Sequence, residues 1–208
     1  MLKKLGLALV ALTLPFLAQA AEPFVEGQHY FEIDTPVRTI DQSKIEVVEM
    51  FGYPCPHCNA FEPFIEHWDK SRSEDVNFVR IPVVFGKSWE PMARAYYVSE
   101  LMGTLDKTHA PTFHAMHVER KRFVNEAQLG DFYASLGVDK DKFMKNYKSF
   151  AVNMKLNQGG AKMRGYGITG VPSMVVNGKY RVTAQSAGDQ KKMLEVVNYL
   201  VEKERNAQ

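Results

Sequence analysis

Hydrophobic and polar residues alternate along the chain with two different periods. In the first part, Ile45–Phe51 and Val76–Pro82 are short runs rich in β-branched and aromatic residues, which is typical of buried strands. Between these runs, apolar residues recur at the spacing of one helix face. They are Ala60, Phe61, Phe64, Ile65 and Trp68. Cys55 would be the N-cap of this helix and Pro56 its first residue, a position that proline favours, whereas Pro63 is expected to interrupt or kink it.

From residue 88 to about residue 165 the pattern is helical, without an evident strand. It predicts one helix beginning at Ser88 and a second over Pro111–Arg122. A third helix is expected after Asn125, whose side chain suits an N-cap, and a longer fourth helix after Asp139. The apolar residues that predict the fourth helix are Phe143, Tyr147, Phe150 and Met154.

Strand character returns near the C-terminus. Ser173–Val176 and Lys179–Val182 flank Asn177-Gly178, and this pair favours a two-residue hairpin because both turn positions need positive φ. Asp189 then begins a final amphipathic helix. The order β-α-β, helices, β-β-α predicts a single α/β domain interrupted by a helical insertion.

The N-terminus has the features of an export signal. Lys3 and Lys4 form a positive segment, Leu5–Ala18 is apolar, and Ala18-Gln19-Ala20 is a small-x-small cleavage site. The apolar stretch is too short to span a bilayer comfortably, although an uncleaved membrane anchor is the alternative. We therefore expect a signal peptide over residues 1–20 that is cleaved after export.

Composition adds two constraints. The apolar fraction of 45 % indicates a packed globular protein. Loss of Lys3 and Lys4 lowers the 26 basic residues to 24, equal to the 24 acidic residues. A formally neutral mature protein has no strong field to attract nucleic acid or anionic lipid, so we expect no nucleic-acid partner.

The chain has two cysteines, and they lie three residues apart in Cys55-Pro56-His57-Cys58. Residues three apart share a helix face, so the two thiols can form and open a disulfide with little backbone movement. A purely structural disulfide would gain little from so short a loop, and a structural zinc site would need four ligands. We interpret the pair as a redox centre, which export would place in an oxidising compartment.

Three stretches carry a resemblance to a known family. They are Glu49–Cys58, Gly170–Met174 and Val176–Tyr180. Together with the export signal and the helical insertion, they resemble the DsbA family of periplasmic thiol:disulfide oxidoreductases, in the thioredoxin superfamily. The resemblance implies an α/β thioredoxin fold interrupted by an all-helical inserted domain.

The same resemblance implies domain boundaries and a function. The thioredoxin-like domain would comprise residues 21–86 and 166–208, and the inserted helical domain residues 87–165. The implied function is an oxidase that donates its disulfide to reduced, unfolded secreted proteins in the periplasm of a Gram-negative bacterium. A membrane quinone-linked partner similar to DsbB would reoxidise it. We expect a monomer whose redox-active disulfide needs no further cofactor.

Each residue of the tetrapeptide has an expected role. Cys55, at a helix N-terminus, should be the nucleophile, because unpaired N–H groups and the helix dipole favour its thiolate. Pro56 and His57 should tune the redox properties of the pair, Pro56 by lacking an N–H and His57 by favouring the thiolate. Cys58 should be the more buried resolving thiol, which attacks the mixed disulfide.

Two further positions are candidates for the site. Glu49 has the same strand face as Val47 and Phe51, so it is either a buried proton relay for Cys58 or a glutamate that is salt-bridged or at the sheet edge. Arg80 is its expected partner, and a permanent cation there would favour ionised Glu49. By resemblance, Val171-Pro172 is a cis-proline loop whose backbone pairs with an extended substrate.

Alternative functions remain open at this point. A disulfide isomerase or reductase could have the same fold, although residues 21–45 are too few for the dimerisation domain that such isomerases usually carry. A non-catalytic, thiol-based metal carrier or a peptide-binding chaperone would need only the thiol pair or an apolar groove. Trp89 is expected near the active site. No ligand role is expected for the histidines His67, His109, His114 and His117.

Overall fold

The computed structural model describes residues 22–207, and the predicted signal peptide therefore lies outside the described residues. The strands are β1 (Phe31–Glu32), β2 (Ile45–Phe51), β3 (Val76–Pro82), β4 (Ser173–Val176) and β5 (Tyr180–Thr183). The helices are α1 (Pro56–Ser71), α2 (Glu90–Leu101), α3 (Leu105–His117), α4 (Glu126–Ser135), α5 (Lys140–Tyr147), α6 (Phe150–Gly165), α7 (Ala184–Ala187) and α8 (Gln190–Arg205). This mixed architecture confirms the predicted α/β fold class.

The strands form one sheet in the order β1-β5-β4-β2-β3. β2 lies between β4 and β3, runs parallel to β3 and antiparallel to β4, and has all seven residues buried. Its apolar residues are divided between the two faces of the sheet, as strand alternation requires. Val47 packs in the core beneath α1 and α8, whereas Val48 and Met50 pack in a second core on the opposite face.

Helices α2–α6 follow one another between β3 and β4 and enclose a third apolar cluster. That cluster also includes Phe51, Tyr53, Cys55 and Cys58 from the end of β2 and the start of α1. The cysteine pair therefore lies where the helical segment meets the sheet. Within residues 22–207 no helix combines the length and the apolar character that are needed to cross a bilayer.

Three helix predictions need correction. α1 continues through Pro63 without interruption, because tertiary packing of its apolar face holds the helix despite the missing N–H. α2 begins one residue later than predicted, with Trp89 rather than Ser88 as its N-cap. The second helix of the insertion, α3, begins at Leu105 and contains Pro111 in its interior instead of starting there.

The long helix predicted after Asp139 is two helices. α5 ends at Tyr147, and the side chain of Ser149 caps α6 by accepting a hydrogen bond from the Val152 N–H. Apolar spacing alone was misleading here, because Phe143 is fully buried whereas Phe150 is 79 % exposed. A capping serine thus separates two helices with differently oriented apolar faces.

The C-terminal predictions are confirmed. Asn177 and Gly178 form the hairpin turn with φ of 50° and 64°. A Cβ atom on Gly178 would collide with the backbone oxygen of Val37, so this position requires glycine. Asp189 caps α8 by accepting from the Lys192 N–H. The short elements β1 and α7 were not predicted, since two and four residues give no periodicity to detect.

Candidate active site

The two cysteines flank the first turn of α1. Cys55 is its N-cap in extended conformation and Pro56 is the first helical residue, as the sequence predicts. The Cys55 N–H donates to Gly52 O at 2.9 Å, which closes a tight turn directly after β2. Both cysteines are free thiols in this structure, Cys55 being 8 % exposed and Cys58 fully buried. Only the first thiol is therefore within reach of a protein substrate.

The electrostatic surroundings of the two sulfur atoms are unequal. A hydrogen bond donated by the Cys58 thiol is the largest cause that lowers the pKa of Cys55, to about 6. The N–H groups of Cys58 and His57 and the charge of His57 act in the same direction, while partial burial opposes them. The same hydrogen bond to Cys55 raises the pKa of the Cys58 thiol, and burial raises it further. The pair thus favours a Cys55 thiolate beside a protonated Cys58.

The Val171-Pro172 peptide bond is cis, as predicted from the resemblance. It brings Val171 O to 3.4 Å from Cys55 Sγ, so a protonated Cys55 thiol can donate to this carbonyl. Loss of that proton leaves two electron-rich atoms facing each other, which disfavours the thiolate. The donors from Cys58 and His57 outweigh this effect, because the pKa of Cys55 remains below its ordinary value.

An open groove of about 900 Å³ lies next to the redox motif, between His57 and the cis-proline loop. Its walls are His57, Ala60 and Phe64 of α1, the loop of residues 169–173, and the segment that leads into α8. Phe64 is 42 % exposed here, although it belongs to the predicted apolar face of α1. The groove offers apolar and backbone surface beside the one accessible thiol.

Glu49 lies on β2 and is completely buried. Arg80 is its direct cross-strand partner on β3, and Arg80 Nε donates to Glu49 Oε2 at 2.9 Å. Burial raises the pKa of Glu49 to about 7 although the charge of Arg80 opposes the shift. The Glu49 charge also contributes to the raised pKa of the Cys58 thiol. Glu49 therefore both pairs with Arg80 and has a raised pKa, although the sequence offered the salt bridge and the proton relay as alternatives.

Glu49 and Arg80 belong to a larger group, which we call the buried polar cluster. Its five members are Glu49, Tyr53, Glu62, Arg80 and His109. Glu62 of α1 lies 3.5 Å from Arg80 and 3.3 Å from His109 Nε2, while His109 Nδ1 lies 2.8 Å from the Tyr53 hydroxyl. The cluster therefore joins the sheet, α1 and the helical segment directly behind the cysteine pair.

Sequence reasoning missed Glu62 and His109. Glu62 is next to the buried Phe61 on α1, and a carboxylate beside an apolar stripe is a weak signal for an unusual environment. His109 gave no usable signal, because its partners are 47 and 56 residues away in the sequence. His117, from the same helix α3, also contacts the site through a hydrogen bond of 2.7 Å with Tyr53 O.

Two further contacts hold the loop around Cys55. Trp89 packs against Gly52 so closely that a Cβ atom at Gly52 would collide with the indole, which places Trp89 near the active site as expected. Gln190, at the start of α8, donates to His57 O at 2.7 Å, a contact that the sequence did not predict. No group of three or more potential metal ligands occurs among residues 22–207.

Comparison with known proteins shows the family of this chain. A family model described as a DSBA-like thioredoxin domain matches residues 46–196. The thiol:disulfide interchange protein DsbA of Pseudomonas syringae pv. tomato is 45 % identical over 201 residues, which are 96 % of this chain and 94 % of that protein. The DsbA protein of Pseudomonas aeruginosa is 42 % identical over 92 % of this chain and 90 % of its own length.

Solved structures agree with the sequence matches. The crystal structure of Pseudomonas aeruginosa DsbA has a TM-score of 0.87 at 42 % identity and covers 90 % of this chain and 97 % of that one. Oxidoreductase DsbA from Xylella fastidiosa has a TM-score of 0.82 at 34 % identity, over 88 % and 98 % of the two chains. The similarity therefore includes the sheet and the helical segment together.

Proposed function

Because this chain belongs to the family of DSBA-like thioredoxin domains and is a thiol:disulfide oxidoreductase, we propose that it donates its Cys55–Cys58 disulfide to reduced secreted proteins. The observation that carries the proposal is the inequality of the two thiols. The pKa of the accessible Cys55 is lowered to about 6, whereas the pKa of the buried Cys58 is raised. A stabilised thiolate favours the reduced enzyme, so the disulfide is an oxidant, a relation for which DsbA is the standard example.

The reaction proceeds in two thiol–disulfide exchanges. A substrate thiolate attacks Cys55 Sγ, the Cys55–Cys58 bond breaks, and Cys58 leaves with the bonding electron pair. A second substrate thiolate then attacks the substrate sulfur of the mixed disulfide and releases Cys55 as a thiolate. Two electrons pass from substrate to enzyme and one disulfide forms in the substrate. The cysteine pair itself carries these electrons, so this reaction requires no further cofactor.

Glu49 handles the proton of the first step in this proposal. Cys58 leaves as a thiolate in a fully buried position, where its raised pKa makes protonation favourable. A carboxyl whose pKa is raised to about 7 can give up a proton near neutral pH. Arg80 then stabilises the resulting carboxylate through its hydrogen bond to Glu49 Oε2.

The backbone of Val171 and the groove form the proposed substrate site. Val171 O lies beside Cys55 Sγ, so an extended peptide attached to Cys55 passes along the cis-proline loop. Backbone contacts do not depend on side chains, which suits an enzyme with many reduced, unfolded substrates. The exposed Phe64 in the groove adds apolar contact of equally low specificity.

The proposed setting is the bacterial periplasm, where the enzyme acts as a monomer and a DsbB-like, quinone-linked membrane oxidase regenerates the disulfide. The support is the export signal in the sequence and the match to DsbA proteins. Membranes that contain quinone and the partner should reoxidise the reduced enzyme. Membranes without the partner are the control, and equal rates with both would contradict this part of the proposal.

The central test is stoichiometric oxidation. Oxidised enzyme mixed with a reduced substrate protein should lose one disulfide for each disulfide that the substrate gains, as measured by thiol counting. Titration of the Cys55 thiolate by ultraviolet absorbance should give a pKa well below that of free cysteine. Substrate binding without oxidation would indicate a chaperone or carrier, and a near-normal pKa would indicate a reductase.

A matched pair of variants tests the assignment of the two sulfur atoms. Cys58→Ser cannot form the Cys55–Cys58 disulfide, and it should accumulate mixed disulfides between Cys55 and substrate cysteines, because no Cys58 thiol is present to displace the bound substrate. Cys55→Ser leaves only the buried thiol and should form none. Trapping by Cys55→Ser instead of Cys58→Ser would reverse the assignment.

A further inference from the structure

His109 is a buried group that the proposed reaction does not use. It comes from α3, is 6 % exposed, and lies between Tyr53 and Glu62 in the buried polar cluster. Tyr53 is two residues before Cys55, and Glu62 is four residues after Cys58. A histidine of the helical segment therefore contacts both flanks of the redox motif.

The hydrogen bonds define the tautomer of His109. Within the described part of the chain, His109 Nδ1 is the one partner of the Tyr53 hydroxyl. If Nδ1 carried a proton, the buried phenolic hydrogen would have no acceptor, which is costly. Nδ1 therefore accepts from Tyr53, and Nε2 carries the proton and points toward Glu62 Oε1 at 3.3 Å. Burial lowers the pKa of His109 to about 3, so the ring is neutral at working pH.

Two carboxyls in the cluster compete for a proton. Burial raises the pKa of Glu49 and that of Glu62 to about 7 in each case, and Arg80 is the cation between them. With one proton bound, Arg80 balances one carboxylate and the cluster is neutral, whereas two carboxylates would leave an uncompensated buried charge. Near neutral pH the cluster therefore favours one proton, on either Glu49 or Glu62.

The hydrogen bonds distinguish the two carboxyls. Glu62 Oε1 accepts a hydrogen bond from the N–H of His109 Nε2, which favours an ionised Glu62. Within the described residues Glu62 Oε2 has no hydrogen bond, but Arg80 Nη2 lies 3.5 Å from it, so a cation faces this oxygen. Glu49 Oε2 accepts from Arg80, but Glu49 Oε1 is buried with neither a hydrogen-bond nor an ion-pair partner among residues 22–207. An unpartnered carboxylate oxygen in such a place is unfavourable, and protonation of Glu49 relieves part of this cost.

We propose that His109 is a positioning residue that holds Glu62 ionised and so leaves the proton of the buried polar cluster on Glu49, beside Cys58. This inference rests on the proposed function, because it explains why the proton is available where the buried thiolate forms. Tyr53 supports it by fixing the tautomer of His109. The helical segment thereby acts on proton transfer at Cys58 through Glu62 and Glu49.

Other charged and titratable groups around the cluster act on both carboxyls. Glu66, on α1, raises the pKa of Glu62 and is present in all variants described below. Tyr96 of α2 faces Arg80 and stays neutral, since burial raises its pKa well above the ordinary value. These groups are the same in every His109 variant, so a difference in glutamate pKa between two substitutions at His109 reports the hydrogen bonds of His109 itself.

Two substitutions at His109 test whether its hydrogen bond to Glu62, rather than its volume, affects the glutamate pKa values. His109→Gln extends an amide to the place of Nε2 and can still donate to Glu62. His109→Asn places its amide near the position of Nδ1, where it can accept from Tyr53, but it is too short to reach Glu62. Glutamate carboxyls in the oxidised, ¹³C-labelled protein can be titrated by NMR and assigned with Glu49→Gln and Glu62→Gln.

In the unmodified protein, Glu49 should titrate at higher pH than Glu62. His109→Asn should raise the midpoint of Glu62 by about one pKa unit and lower that of Glu49, while His109→Gln should keep the original order. Glu62 titrating above Glu49 in the unmodified protein, or equal effects of the two variants, would overturn the inference. The first criterion needs no substitution at His109, so it applies even if His109→Asn does not fold.

A kinetic measurement separates this inference from the proposed function. His109→Asn should shift the pH profile of Cys58 release, followed by reduction of the enzyme disulfide with a small dithiol, and His109→Gln should not. If the enzyme oxidises substrates but the titration order is wrong, only the role of His109 fails. If it does not oxidise substrates at all, the proposed function fails whatever the titrations give.

Discussion

Two glutamates on strand β2 are equally buried but differ in the hydrogen bonding of their carboxyl oxygens. Glu46 and Glu49 are both completely buried and each pairs with a cation at 2.9 Å, Lys162 of α6 and Arg80 of β3 respectively. Three residues apart on a strand, they face opposite sides of the sheet. Glu46 also accepts from the Ile40 N–H, so both of its oxygen atoms are bonded.

Glu49 differs in one atom. Its Oε1 has no hydrogen-bond partner within residues 22–207, and its charge acts on the Cys58 thiol. The carboxyl of Glu46, with both oxygens bonded, serves the fold, whereas Glu49, with an unbonded oxygen and a raised pKa, can exchange a proton. Burial alone therefore does not separate Glu46 from Glu49, whereas the hydrogen bonding of their carboxyl oxygens does.

The largest effect expected from this comparison is on stability at Glu46. Glu46→Ala leaves the Lys162 ammonium and the Ile40 N–H without their acceptor, and we expect unfolding free energy to fall by about 3 kcal/mol. Urea unfolding measures this loss. Oxidation of a reduced substrate by the folded variant should be unchanged, and a selective loss of activity would contradict the structural role.

The pH dependence of stability should report Glu49. Its folded pKa of about 7 exceeds its unfolded value of 4.5, so the folded protein binds more protons and stability falls as pH rises between these values. Glu49→Gln should remove on the order of 2 kcal/mol of this decline, measured by urea unfolding of the oxidised protein from pH 4.5 to 7.5. An unchanged slope would show that Glu49 is not protonated in the folded state.

Glu49→Gln should also slow the reaction itself. Without an acidic proton near Cys58, we expect reduction of the enzyme disulfide at pH 7 to be about ten-fold slower, with a flatter pH profile around neutrality. Stopped-flow measurement with a small dithiol gives this rate. Glu46→Gln is the matched control on the same strand, and an equal slowing there would assign the effect to general damage.

The smallest expected effect is on stability when the cations Arg80 and Lys162 are exchanged for the other basic residue type. Arg80 contacts Glu49 and Glu62 through different nitrogen atoms, which a single lysine ammonium cannot reproduce. Arg80→Lys should therefore cost about 1 kcal/mol of stability and raise the pKa of Glu62. Lys162→Arg tests the other pair, where one ammonium meets one carboxylate oxygen, and it should change unfolding free energy less.

Much of the fold could be predicted because its signals are local. β2, β3 and the hairpin follow from runs of strand-forming residues and from Asn177-Gly178, and the starts of α4 and α8 from the capping residues Asn125 and Asp189. The errors occurred where local rules compete with packing. Pro63 and Pro111 both lie inside helices that tertiary contacts hold together.

The candidate site divides in the same way. The spacing of Cys55 and Cys58 and their place at a helix start were determined by the sequence itself, because both depend on a few adjacent residues. The tertiary structure alone decided that Glu49 has a free oxygen and that His109 meets Tyr53 and Glu62. Those features arise between elements far apart in the chain, where burial and hydrogen-bond geometry, and not residue type, set the chemistry.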